Sequence, residues 1–172
     1  MDASGRPLPR GCTGEVVVRG PNVMRGYLNR PEETARTVVD GWLHTGDVGI
    51  FDADGYLRIV DRIKDMIIRG GENIYPKEIE TALYGHDAVL EAAVVGRPDA
   101  VLGEVVVAYV ALRPGAGTGV DELHDLCAQR LAKYKRPVTI DVLETLPKNA
   151  VGKIDKPALR RLALAQIRIR IA

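Results

Sequence analysis

Arg69-Gly70-Gly71-Glu72-Asn73-Ile74-Tyr75-Pro76-Lys77-Glu78-Ile79-Glu80 is the stretch from which the fold is read. Just upstream, residues 64–69 read as a strand leading into Gly70-Gly71. Paired glycines permit positive φ and let a ligand approach the backbone closely, and they also simply make turns. Downstream, Pro76 suits a first helical position, where no N–H is needed, and Ile79, Ala82 and Leu83 then share one face. Residues 89–95 and 105–112 read as central strands. A second helix is expected after Thr118-x-x-Asp121, the spacing of a capping box, with Leu123, Leu126, Cys127 and Leu131 on its apolar stripe. Residues 138–143 predict another strand, and Lys156 opens a basic final helix. Strands alternating with amphipathic helices predict a small α+β sandwich, a sheet with flanking helices, over residues 64–172.

In the other direction the pattern is richer in strands. Glu15-Val16-Val17-Val18-Arg19-Gly20 reads as a β-branched strand stopped by glycine. Residues 31–39 predict a short helix, with Pro31 at its first position and Glu32 and Glu33 at the positive end of its dipole. Residues 47–51, the turn Asp52-Ala53-Asp54-Gly55 and residues 56–60 form a hairpin signal. The change of pattern puts the expected boundary at residues 62–64, dividing the chain into a β-rich segment, 1–63, and a second domain, 64–172.

Composition excludes several classes. The chain has 172 residues with 24 Lys plus Arg against 23 Asp plus Glu, a formal net charge of +1, so it carries no electrostatic footprint for nucleic acid. Apolar runs such as 105–112 fall far short of the ~20 residues of a membrane span. No secretory pattern opens the chain, and Cys12 and Cys127 make no disulfide framework, so a cytoplasmic globular protein is expected. With aromatic residues at 5%, the core must be built from Val, Leu, Ile and Ala.

Four clusters carry chemically useful groups, and each also has a plain structural reading. Trp42-Leu43-His44-Thr45-Gly46-Asp47 reads as a corner ahead of a strand, which Gly and Asp favour for conformational reasons. Asp61-Arg62-Ile63-Lys64-Asp65 places four charges between apolar strands, as a solvated connection would. Arg69-Gly70-Gly71-Glu72-Asn73 is the glycine turn. Pro147-Lys148-Asn149-Ala150-Val151-Gly152-Lys153 sets a Gly-Lys in a polar loop, without the upstream glycine and following Ser/Thr of a Walker loop. His44, His86 and His124 show no metal-binding spacing.

Taken together and in order, the motifs resemble the C-terminal portion of the adenylate-forming (AMP-binding) superfamily. The series runs from Gly14-Glu15-Val16-Val17-Val18-Arg19-Gly20, Gly26-Tyr27 and Pro31-Glu32-x-Thr34 through Thr45-Gly46-Asp47 and Asp61-Arg62-x-Lys64-Asp65. It continues with Gly70-Gly71-Glu72-Asn73-Ile74-x-Pro76-x-Glu78-Ile79-Glu80 and ends at Pro147-Lys148 and Gly152-Lys153. The Gly-Gly-Glu-Asn-Ile form is most similar to acyl- and aryl-CoA synthetases. The resemblance implies a terminal piece of the large N-terminal domain over 1–63 and the complete C-terminal lid over 64–172. The phosphate loop, adenine segment and acid pocket of the family lie upstream of Gly14 and have no counterpart here, so the chain alone is expected to be inactive.

The resemblance also implies roles. A carboxylic acid and ATP give acyl-AMP and pyrophosphate; the thiol of CoA then displaces AMP. Asp47 matches the aspartate that accepts the ribose hydroxyls, a task suited to two carboxylate oxygens. Arg62 matches an arginine near ribose and phosphate, and Lys64 the hinge of the lid. Lys153 matches the catalytic lysine, whose ammonium orients substrate carboxylate and α-phosphate and offsets developing charge. Gly70 and Gly71 match the turn lining the pantetheine channel. Asn149 is expected to shape its loop, and Arg130, Lys133, Lys135 and Arg136 either assist the CoA phosphates or form a solvated helix face. Mg²⁺ comes with ATP and is not held by a recognisable metal site here. The expected partners are the N-terminal ATP- and acid-binding domain and CoA. The competing expectation is a stand-alone lid-like interaction domain, or a target whose Lys153 is acetylated by a protein lysine acetyltransferase, which removes its charge.

Overall fold

The computed structural model describes residues 1–2 and 4–171, the side chains of 167–171 excepted. It divides into two units, Met1–Lys64 and Asp65–Ala172. The first holds strand β1 (Thr13–Val18), helix α1 (Pro31–Thr37) and strands β2 (Val38–Val39), β3 (Trp42–Phe51) and β4 (Leu57–Arg62). β3 is the centre of an antiparallel sheet and pairs with β1, β2 and β4. Among the described residues of this unit, Val48 is the one fully buried apolar side chain, while Phe51, Tyr56, Leu57 and Ile59 are exposed.

Two expectations change here. The helix stops at Thr37, and Val38-Val39 become a strand, because these β-branched residues find Leu43 and Trp42 opposite them. Thr45-Gly46-Asp47 is not a corner ahead of a strand but lies inside β3. Opposite it β1 advances only from Glu15, paired with Val48, to Val17, paired with His44, so β3 bulges outward. Gly46 at φ +70° supplies the left-handed conformation that the bulge needs.

The second unit contains β5 (Ile67–Arg69), β6 (Glu72–Ile74), α2 (Pro76–Tyr84), β7 (Val89–Asp99), β8 (Gly103–Leu112), α3 (Val120–Arg130), β9 (Thr139–Val142) and α4 (Lys156–Ile171). β7 and β8 make a long antiparallel hairpin. The other side of β8 is shared: β5 meets it at Gly103, and β9 runs parallel along residues 107–110. Alternate strand residues feed two cores. Val94, Val106, Ala108 and Val110 pack with Ile79 and Leu83 of α2 and Leu123 and Cys127 of α3. Ala93, Val95, Val107 and Tyr109 pack with Leu159 and Ala163 of α4. Both sheet faces are covered, which is why β7 and β8 read as nearly continuous apolar runs. The architecture is the expected α+β sheet with flanking helices.

Three local expectations are corrected. Lys64 lies in a 3-10 turn, Ile63–Asp65, and the strand begins only at Ile67, where Ile74 becomes a partner. Glu72-Asn73, read as part of the glycine turn, pairs with β5 as a strand together with Ile74. The Thr118 capping box does not form: α3 starts with Gly119 as its N-cap, so Thr118 sits one residue too early and its hydroxyl donates to Glu122 Oε2 at 2.6 Å instead.

Candidate active-site segments

In the first unit the β3 bulge is held by Glu15 from β1. One carboxylate oxygen lies 2.8 Å from His44 Nδ1, and the other accepts the Gly46 N–H at 3.2 Å. Thr45 is tied down as well, its hydroxyl donating to the Val16 carbonyl at 2.7 Å and accepting the Asp47 N–H at 3.1 Å. The result is that Asp47, at the end of the bulge, is presented on a fixed backbone. Arg62, directly across the sheet on β4, donates from Nε to Asp47 Oδ1 at 2.6 Å. The sequence-derived nucleotide pair is therefore a pair in space. Each carboxylate oxygen has more than one lone pair, so the ion pair leaves acceptor capacity on Asp47. A cleft of about 410 Å³ adjoins the bulge, lined among others by Glu15, Tyr27, His44, Arg62 and Lys64. That volume lies within the range of small-ligand sites.

In the second unit Gly70 and Gly71 cap the β5–β6 hairpin with φ of +59° and +87°. The Gly70 N–H donates to the Leu102 carbonyl at 2.8 Å, and Ile68 N–H donates to Glu104 Oε2 at 2.9 Å, so the turn is latched to the start of β8. A Cβ at Gly71 would meet nothing within 4 Å. The turn is thus an exposed, side-chain-free edge of backbone.

The Lys153 loop is built differently. Lys148 and Ile154 form a bridge that closes it. Asn149 organises its interior: its amide oxygen accepts the N–H groups of Val151 and Lys153 at 3.1 and 3.0 Å, and its own N–H donates to the Lys153 carbonyl at 2.8 Å. The expectation that Asn149 shapes the loop has a direct geometric cause. The Lys153 side chain is exposed, and among the described residues no hydrogen-bond or ion-pair partner for its ammonium is present.

Three of the four basic residues considered for the CoA phosphates are committed inside the unit. Lys135 Nζ meets both Glu78 carboxylate oxygens at 2.8 and 2.7 Å, Arg136 donates to the Leu131 and Ala128 carbonyls, and Arg130 to the Ala82 carbonyl at 3.4 Å. Burial, the largest single effect, lowers the Lys135 pKa, but the contacts with Glu78 and Tyr134 together outweigh it and raise the net value. Sequence reasoning also missed residues. Glu15 and His44 act on the bulge, and Glu80, Glu91, Lys156 and Arg160 act around the lysine loop. For Glu80 a signal existed: an acid lies between Ile79 and Leu83 on a helix otherwise buried through its apolar residues. Among the described residues no group of three or more His, Cys, Asp or Glu is arranged to hold a metal ion, and no helix is long and apolar enough to cross a membrane.

The sheet with flanking helices of the second unit matches the C-terminal lid domain of adenylate-forming enzymes. Residues 78–153 match the model of the AMP-binding enzyme C-terminal domain. The chain is 51% identical over 158 residues to a feruloyl-CoA synthase of an Amycolatopsis species, covering 92% of this chain and 32% of that protein. Among solved structures it matches an amide bond synthetase from Marinactinospora thermotolerans with a TM-score of 0.88 and 42% identity, covering 94% of this chain and 33% of that one. It also matches the o-succinylbenzoate CoA synthetase of Bacillus subtilis, solved with its acyl-adenylate intermediate, with a TM-score of 0.83 and 44% identity over 93% and 32% of the two chains. The chain spans about a third of the length of the curated relatives it matches.

Proposed function

We propose that this chain is the C-terminal part of an AMP-forming acid–CoA ligase and that it serves both half-reactions of that enzyme. In the first, a carboxylate oxygen of the acid attacks the α-phosphorus of ATP, the bond to the β-phosphate oxygen breaks, and acyl-AMP and pyrophosphate form. Lys153 places its ammonium between the two anions, where it orients them and offsets charge building on the transferred group. Asp47 accepts hydrogen bonds from the ribose hydroxyls, and Arg62 holds the Asp47 carboxylate while its fixed cation faces the nucleotide. In the second, the CoA thiol attacks the acyl carbon and AMP leaves. Gly70 and Gly71 then form one wall of the path for the pantetheine arm, and Lys64 lies in the hinge that exchanges the two arrangements. Mg²⁺ enters with the ATP phosphates.

One observation carries this reading. The glycine turn is latched at the Gly103 end of β8, whereas Lys148, at the base of the lysine loop, is anchored to Glu91, opposite Ala111 at the other end of the same hairpin. Eight residues of strand separate these ends, roughly 27 Å at about 3.4 Å per residue. Two reactive edges so far apart on a rigid hairpin suit a lid that presents them in turn. No Ser/Thr/Gly-rich phosphate loop lies in residues 1–172, so the chain by itself makes no acyl-AMP in this account. The experiment is acid-dependent ATP–pyrophosphate exchange by the full-length enzyme, with and without Asp47→Ala. The substitution should raise the KM for ATP by about tenfold or more, since a lost hydrogen bond to a charged group is worth roughly 1.5–3 kcal/mol. An unchanged KM would remove Asp47 from the nucleotide site.

A further inference from the structure

The lysine loop is held from outside by acids that take no part in the proposed chemistry. Lys148 pairs with Glu91 on β7. Past the loop, Lys156 Nζ lies 2.8 Å from Glu80 Oε1 of α2, and one helical turn further Arg160 lies 2.7 Å from Asp65 Oδ1. Glu80 stands apart from Glu91 and Asp65. At 7% exposure it is the one charged residue classed as buried among those described, and the same Oε1 accepts the Val94 N–H at 3.0 Å.

A carboxylate taken out of water is costly even when paired, and an apolar residue of similar size would often hold α2 against β7 and α4 equally well or better. Packing alone therefore does not account for the acid. What a charged, hydrogen-bonded pair adds is a fixed position. Glu80 is fixed to the backbone of β7, and it fixes Lys156, three residues beyond Lys153. Between these two lysines Ile154 bridges to Lys148, and the Asp155 N–H donates to the Pro147 carbonyl at 2.8 Å. Displacement of Lys156 is thus passed directly to the base of the loop.

We propose that Glu80 is a positioning residue for Lys153: through Lys156 it holds the loop where the Lys153 ammonium meets the reacting groups of the acyl-adenylate step. The proposal rests on the reading of Lys153 given above. Glu80 touches neither substrate nor nucleotide in this account. Its effect is confined to one half-reaction, because the glycine turn is latched to β8 through contacts that do not involve it.

Glu80→Gln is the direct test, since its amide oxygen still accepts the Val94 N–H while the charge that holds Lys156 is gone. In the 172-residue chain, amide exchange at Gly152 and Lys153 should accelerate by about tenfold, while Val94 and Val106 keep their protection. In the full-length enzyme, acid-dependent ATP–pyrophosphate exchange should fall by about 10- to 100-fold in kcat, the scale of a misplaced catalytic group, with the KM for ATP unchanged. Thioester formation from pre-made acyl-AMP should stay within about twofold of the parent enzyme, since it does not use the lysine loop. Glu80→Gln with Lys156→Met guards against a folding defect, since no unpaired cation is left and the amide oxygen still accepts the Val94 N–H. This uncharged pair should keep the unfolding temperature and still lose the first half-reaction. Lys153→Ala serves as the reference. If it spares pyrophosphate exchange, the reading of Lys153 fails; if it abolishes exchange while Glu80→Gln and the uncharged pair do not slow it, the positioning proposal is overturned. Equal slowing of both half-reactions by Glu80→Gln would also overturn it.

Discussion

Cys127 sits in the core between α3 and the sheet, and burial pushes its thiol up to about 11, against a small opposing pull from Arg136. A thiol raised in this way is unreactive at neutral pH, whereas Cys12 is exposed. Ellman's reagent at pH 8 should therefore titrate one thiol quickly and the second only as fast as the chain unfolds. Two fast thiols would contradict the packing of α3. The linkage has a definite sign: the thiol stays neutral in the fold, so its contribution to stability is intact below the ordinary value of about 9 and is lost as pH rises through 11. At this scale the sequence points to candidate groups more readily than to the groups that hold them. Lys153, Asp47 and Arg62 are visible because their neighbours form ordered motifs. Glu15 and Glu80 act across 29 and 14 residues of chain, on Nδ1 of His44 and on Val94, and nothing in local spacing reports such long-range pairing.

At the level of elements, the tip of the β7–β8 hairpin supports the glycine turn. Asp99 Oδ1 accepts the N–H groups of Leu102 and Val101 at 2.9 and 3.0 Å, and these two bonds, Leu102 first, hold its carboxyl below the ordinary aspartate value. Leu102 in turn accepts the Gly70 N–H. A depressed carboxyl contributes stability that is present above its unfolded pKa of about 3.8 and is lost as pH falls through the lower folded value. An NMR titration should show the Val101, Leu102 and Gly70 amide signals moving together with a midpoint below 3.8, and Asp99→Asn should abolish that inflection. Independent midpoints would mean that the tip and the turn are not coupled. The long hairpin strands and α2 were legible in the sequence because their apolar residues recur at the periods of strand and helix. The β3 bulge was not, since Thr-Gly-Asp is equally compatible with a turn, and only the register against β1 decides between them. The capping box failed for a similar reason: a one-residue difference in where α3 starts moves Thr118 out of reach of the amide it was expected to cap.

For the whole molecule, we propose that one lid serves two half-reactions with opposite ends of one hairpin. Lys153 and Gly71 belong to the same unit, so a general loss of folding would damage both steps, while separate roles require separate defects. The decisive measurement is made on the full-length enzyme, with each half-reaction followed alone in Lys153→Ala and in Gly71→Leu. Lys153→Ala should slow acyl-AMP formation by about 10²- to 10³-fold, the cost of removing a positioned charge-stabilising group, and leave CoA transfer from pre-made acyl-AMP nearly untouched. Gly71→Leu should do the reverse, because its side chain enters open space at the turn and obstructs what must pass there; Gly71→Ala, which carries the same strain at φ +87° without the bulk, separates obstruction from backbone strain. If each substitution slows both half-reactions to the same extent, the two edges do not act in turn and the account is wrong.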